Sequence, residues 1–101
     1  MIIRQTNHFI KWFEKLPGYL RLIIAKNIDK LANNNFSNCK SIGDGIHEQK
    51  IDFQKGYRIY FINKNGMIII LLLGGDKSSQ QKDIEKAKRM KKELEAQNEN
   101  R

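Results

Sequence analysis

Residues Met67 to Leu73 form an apolar run without a single polar interruption. A strand built from such a run has no wet face, so it lies inside a sheet rather than at an edge. The run is far shorter than the ~20 residues a helix needs to cross a bilayer. Asn65-Gly66 precedes it, and both positions tolerate positive φ, which predicts a hairpin to an earlier strand. Gly74-Gly75-Asp76 follows and reads as a break.

Working outward from this strand gives the other elements. Tyr57 to Asn63 is rich in aromatic and β-branched residues and reads as its hairpin partner. Gln54-Lys55-Gly56 is a short turn, and Ile46 to Phe53 is a further strand. Residues 36–45 hold Ser, Asn, Asp and Gly and read as a loop. Upstream, Phe9, Trp12, Phe13 and Leu16 recur at helical spacing, with Thr6 or Asn7 as cap. Pro17-Gly18 interrupts that helix. A second helix runs from Tyr19 to Ala32 with Leu20, Ile24, Ile28 and Leu31 on one stripe, and Asn33-Asn34-Asn35 ends it. Residues 1–5 suggest a short first strand. Ser78 or Ser79 opens a last helix with Ile84, Ala87 and Leu94 on one side, and 97–101 reads as a frayed tail. The expected order is β-α-α-β-β-β-α, an α+β fold with an antiparallel sheet, in one domain spanning 1–101.

Charge narrows the function. Nineteen Lys and Arg against eleven Asp and Glu give a net charge of +8 on 101 residues. Such a field favours polyanionic partners. The single cysteine, Cys39, excludes an internal disulfide framework and suits a reducing cytoplasm. No signal peptide is expected at the N-terminus, and no membrane partner. His8 and His47 lack a companion cluster, so neither suggests a metal. Gly74 to Ser79 resembles a phosphate loop but lacks the Walker spacing.

Strand alternation places the chemistry. Tyr57, Ile59 and Phe61 share one face and suit a core against the helices. Arg58, Tyr60 and Ile62 share the other. On the preceding strand Glu48, Lys50 and Asp52 can lie on the same side as Arg58 and Tyr60, while His47 points away. The expected result is a concave surface carrying Glu48, Lys50, Arg58 and Tyr60, with Lys77 at its rim. A solvated face with cross-strand ion pairs, such as Glu48 with Arg58, would show the same pattern. As a phosphate-handling surface, it has Lys and Arg to neutralise charge on phosphorus. Tyr60 could stack on a base or move a proton, and Glu48 could serve as base.

Two segments then carry a resemblance: Gly56-Tyr57-Arg58-Ile59-Tyr60-Phe61, and Leu71 to Gln80 with Asp83-Ile84-Glu85-Lys86-Ala87 beyond. Together they resemble the RelE/ParE toxin superfamily, in particular its HigB-like branch of phage-derived addiction-module killer proteins. The resemblance implies two N-terminal helices on a curved sheet and a cognate antitoxin as partner. For the RelE-like and HigB-like branches it implies metal-independent cleavage of mRNA, commonly on the ribosome, with no cofactor. In those branches the resemblance implies that the substrate's own 2′-hydroxyl attacks the phosphate. For the ParE-like branch it implies inhibition of DNA gyrase without catalysis. Arg58 matches the arginine that follows Gly-Tyr in the nuclease branch, Lys77 a basic residue after the last strand, and Lys50 the strand that supplies lysines. Where some RelE members place a catalytic tyrosine in the last helix, this chain has Asp83. Tyr60 could substitute from the sheet, or Gln80 and Asp83 could contact the RNA in another way.

Overall fold

The computed structural model describes residues 1–99. Strand β1 (Ile2–Gln5) leads into helices α1 (Asn7–Glu14) and α2 (Gly18–Ala32). Four strands follow, β2 (Cys39–Gly43), β3 (Ile46–Ile51), β4 (Tyr57–Lys64) and β5 (Ile68–Asp76). A 3-10 turn at Lys77–Ser79 then opens α3 (Gln80–Glu99). The stretch read as a frayed tail is helical to Glu99, and 100–101 lie outside the described residues.

Local chemistry explains the boundaries. The Thr6 hydroxyl accepts the Phe9 N–H at 3.1 Å, which caps α1. Asn34 takes φ 62° after α2 and turns the chain out of the helix. Asn65 (φ 55°) and Gly66 (φ 70°) make the β4–β5 turn with both central residues left-handed. The Asp76 carboxylate accepts the Ser78 N–H at 2.9 Å and launches the helical turn before α3.

The strands lie in the order β1-β5-β4-β3-β2. As the unbroken apolar run predicts, β5 is interior, between β1 and β4. Helices α1 and α2 cover one face, where Phe9, Leu20, Ile24 and Leu31 pack on Ile51, Tyr57, Ile59, Phe61, Ile69 and Leu71. Helix α3 covers the other, with Ala87 and Met90 packed on Ile46, Tyr60, Leu72 and Leu73. The α+β fold with two N-terminal helices and a C-terminal helix is therefore present, with three departures from expectation.

First, residues 39–43 form a strand, where the sequence suggested a loop. Strand β2 is a polar edge strand that pairs with β3 through Lys40↔Glu48 and Ser41↔His47. Second, β1 pairs parallel to β5, so the sheet is not wholly antiparallel. The crossover through α1, α2 and the later strands supplies the long connection a parallel pair needs.

Third, Gly74 and Gly75 do not break β5 but extend it to Asp76. A Cβ on Gly74 would fall 2.3 Å from the Trp12 ring, and one on Gly75 would fall 1.9 Å from Asp83 Oδ2. The glycines lie on opposite faces and admit close neighbours from α1 and α3. A bulge sets that phase. Tyr60 pairs with Leu73 but Phe61 pairs with Leu71, leaving Leu72 as the extra residue. Leu72 and Leu73 both join the α3-side cluster, and Gly75 then comes opposite Arg58 on that face.

Candidate functional site

The register of β3 against β4 brings the expected residues together. Glu48 lies opposite Tyr60 and Lys50 opposite Arg58, so all four share the α3 face. His47 is on the reverse face, its ring stacked on Phe61 at 5.4 Å. Cys39 is half-buried, and burial pushes its thiol up to about 11, which keeps it protonated. Trp12 packs against the core beside Gly74, in keeping with a structural role.

The surface itself is not the open concavity that alternation suggested. Tyr60 is 0% exposed, Glu48 2% and Arg58 7%. The first turn of α3 lies across them. Gln80 Nε2 donates to Glu48 Oε2 at 3.0 Å. Asp83 rests over Gly75, where no side chain obstructs it, and its Oδ2 accepts the Ser79 hydroxyl at 2.6 Å. Polar residues on a strand usually meet water, but here a polar helix end covers them.

Lysines stand at the mouth of this cluster. Lys50 is half exposed, with Nζ 3.6 Å from Asp52. Lys77 is exposed, and its backbone N–H donates to Gly56 O at 2.8 Å. A Cβ on Gly56 would lie 3.8 Å from Lys77 Cβ and 3.9 Å from Arg58 Nη1, so the base of Lys77 and the Arg58 guanidinium both border this glycine. Lys40, on the strand the sequence did not reveal, reaches to 3.7 Å from Glu48 Oε1. The turn Asp44-Gly45 was the signal that could have found it. Its φ values of 56° and 76° match those of the Asn65-Gly66 turn.

The electrostatics inside are unbalanced. Arg58 Nε stands 3.7 Å from Glu48 Oε1, an ion pair beyond hydrogen-bonding distance. Arg58 Nε, Arg58 Nη1 and the Tyr60 hydroxyl are buried with no partner in good hydrogen-bonding geometry among the described residues. Each such group costs about 1–3 kcal/mol. Three side by side work against stability and call for an explanation other than folding. Burial raises the Tyr60 pKa strongly, the nearby Glu48 carboxylate raises it further by its charge and its hold on the hydroxyl proton, and the Asp83 charge adds to this against the opposing pull of Arg58. Its hydroxyl therefore keeps its proton. Burial also raises the Asp83 pKa, partly offset by the Ser79 hydroxyl.

The arrangement offers a guanidinium with free donors, a phenol that holds its proton, and a carboxylate, with lysines outside. That set can bind a phosphate diester and move protons on either side of it. The cluster thus unites Glu48, Arg58, Tyr60, Gln80 and Asp83, while Lys50 and Lys77 stay at its rim.

Known proteins share this architecture. A mutant of the Escherichia coli toxin RelE in the free state superposes with a TM-score of 0.69 at 15% identity, over 87% of this chain and 95% of that one. The toxin–antitoxin complex RelBE2 from Mycobacterium tuberculosis gives a TM-score of 0.64 at 14% identity, covering 75% of this chain and 96% of that one. The intact E. coli RelBE toxin–antitoxin complex gives 0.61 at 15% identity, covering 74% and 94%. The fold is therefore that of RelE toxins. In sequence, an uncharacterised protein of Haemophilus influenzae is 45% identical over 93 residues, which is 91% of this chain and 94% of the relative. Residues 11–94 match the family described as phage-derived protein Gp49-like (DUF891), and the chain belongs to that family.

Proposed function

We propose that this protein is the toxin of a type II toxin–antitoxin pair and acts as a metal-independent endoribonuclease on translated mRNA, inhibiting translation in the cytoplasm. The fold shared with RelE toxins supports the toxin role. The observation that carries the nuclease reading is the buried Arg58 with two unpartnered nitrogens, set beside the unpartnered Tyr60 hydroxyl and Glu48.

In this reading a 2′-oxygen of the message attacks the adjacent phosphorus. The 2′-O–P bond forms and the P–O5′ bond breaks, leaving a cyclic phosphate and a free 5′-hydroxyl. Glu48 takes the 2′-hydroxyl proton. Tyr60, which keeps its own proton at neutral pH, gives it to the departing 5′-oxygen. Arg58 supplies donors to the phosphate oxygens, and Lys50 and Lys77 add charge from the rim. Gln80 and Asp83 occupy the approach, so RNA enters by taking Gln80 from Glu48 and lifting the first turn of α3. The cognate antitoxin is the protein partner.

The test is a pulse of expression in bacteria without antitoxin, with 5′-end mapping of several messages and plasmid supercoiling read from the same cells. New cleavages confined to translated regions are expected. Arg58→Ala should reduce them by about 10²–10³-fold, the usual loss when a donor to a developing oxyanion is removed. Antitoxin binding should survive that change. Intact messages with relaxed plasmid would overturn the nuclease reading in favour of a gyrase inhibitor.

A further inference from the structure

The α3 face has a second region, at the other end of the strands. Two rows of residues cross β1, β5 and β4 there in strict register. One row is Ile2, Ile68 and Lys64, and the next is Arg4, Ile70 and Ile62. Helix α3 buries the sheet around Leu72 and Tyr60 but leaves these rows partly open. The result is an open trough of about 650 Å³, bounded by Arg4, Lys64, Ile68, Ile70 and Leu94 among others. A smaller hollow of about 230 Å³ continues it past Ile62, sharing Lys64, Ile70 and Leu94.

The floor is aliphatic, one wall is the neutral polar run Gln5-Thr6-Asn7, and the charged side chains on the rim of the trough are basic. At the outer end Ile2 is 57% exposed and Met67 64%, and the two residues adjoin through the Ile2 N–H to Met67 O bond of 3.0 Å. Lone exposed aliphatics are ordinary, but a contiguous set rimmed by charge marks an interaction site. Arg4 and Lys64 are exposed, and neither has a carboxylate partner among the described residues. Glu95, at the edge of the smaller hollow, is neutralised by Lys91 at 2.8 Å.

These features select the occupant. A second copy of this chain would bring a net charge of +8 and another basic rim to the same place. Single-stranded RNA looks for aromatic rings to stack on, and among the described residues no ring lines the trough. An amphipathic protein segment with aliphatic residues on one side and carboxylates on the other satisfies both floor and rim. We infer that the trough between β1 and the C-terminal half of α3 is a docking groove for an acidic amphipathic segment of a protein partner. It lies at the opposite end of β5 from the Arg58 cluster and does not depend on the nuclease reading.

The experiment uses the full-length chain with 13C-labelled isoleucine methyl groups. The probes are a twelve-residue peptide of alternating Leu and Glu, its Leu/Lys counterpart, and a twelve-nucleotide single-stranded RNA. The Leu/Glu peptide should move the methyl signals of Ile2, Ile68 and Ile70 and leave that of Ile24, beneath α2, in place. Reversing the rim with Arg4→Glu and Lys64→Glu together should weaken that binding at least tenfold. Both positions are exposed, so the double variant should retain the fold. Repeating the titration on Arg58→Ala should give the same affinity, which separates the groove from the proposed active site. The inference is overturned if the Leu/Lys peptide binds equally well or RNA moves the same methyls. It also fails if the shifts follow protein concentration alone, or if no probe moves them.

Discussion

The two faces of the sheet are built on different terms. Beneath α1 and α2, the buried polar side chain among the described residues is Gln49, uncharged, with its amide N–H donating to Asn27 O at 2.8 Å and only its carbonyl oxygen left without a partner. Beneath α3 lie Glu48, Arg58 and Tyr60, with three unpartnered donors among the last two. The first face exchanges water for apolar contact, the dominant favourable term in folding. The second face gives up part of that gain by burying charge without full hydrogen bonding. Stability and chemistry are thus separated across one sheet, and β4 carries both, its odd-numbered side chains to one side and its even-numbered ones to the other.

The largest test of that division is Phe9→Ala. Phe9 is wholly buried beneath α1 and stacks with Phe13 at 6.0 Å. Its truncation should cost about 3–5 kcal/mol in urea unfolding. Cleavage per folded molecule should stay at the wild-type level. A comparable loss of cleavage in the folded fraction would show that the faces are coupled.

Adjacent glycines allow a finer comparison. Gly74→Ala drives a methyl into the Trp12 ring, which the core holds in place. The cost should be about 1–3 kcal/mol. Gly75→Ala meets the Asp83 carboxylate instead, at the first turn of a helix that can yield. It should cost less, and should speed amide hydrogen exchange at the start of α3. Equal losses at the two positions would mean that α3 is seated as rigidly as α1.

Tyr60→Phe should move stability and activity in opposite directions. The substitution removes a buried hydroxyl that has no partner, so thermal unfolding should show no loss or a gain of up to about 1 kcal/mol. Cleavage should fall by about 10²-fold if the phenol delivers the proton. A clear drop in stability would break the comparison, since it would mean that the hydroxyl is bonded in solution.

How much of this was legible in the sequence follows from range. The sharing of a face by Glu48, Lys50, Arg58 and Tyr60 was readable because strand alternation is local and strict. The interior place of β5 was readable because seven apolar residues leave no wet side. Strand β2 was missed because a polar edge strand has no apolar pattern, although Asp44-Gly45 had the turn chemistry. The bulge at Leu72 was invisible because a run of leucines carries no phase. The roles of Gly74 and Gly75 depend on Trp12 and Asp83, neighbours only in the fold. The same is true of the cover over Arg58, since no strand pattern can announce that a polar helix end will lie on it.

The smallest effect concerns Asp83 and its dependence on pH. Burial raises its folded pKa above the ordinary carboxylate value, so the folded state holds this proton more tightly than the unfolded chain does. Stability from this group is then fully present below the ordinary carboxylate range, and is lost as pH rises through the raised value. Asp83→Asn keeps the shape, can still accept from Ser79, and removes the charge. The variant should melt slightly higher than wild type at pH 7, and the difference should shrink to nothing as pH falls below the usual carboxylate range. Asp76 provides the opposite sign on the same segment. Its bond from the Ser78 hydroxyl lowers its pKa, so its contribution is present above the ordinary value and is lost as pH falls through the lowered one. Thermal melts of Asp83→Asn and Asp76→Asn across pH 3–7 should therefore diverge at neutral pH, the first above wild type and the second below. If the Asp83 variant were less stable than wild type at neutral pH, its carboxylate would be holding α3 down by its charge. The polar face would then be stabilised by the group that covers it.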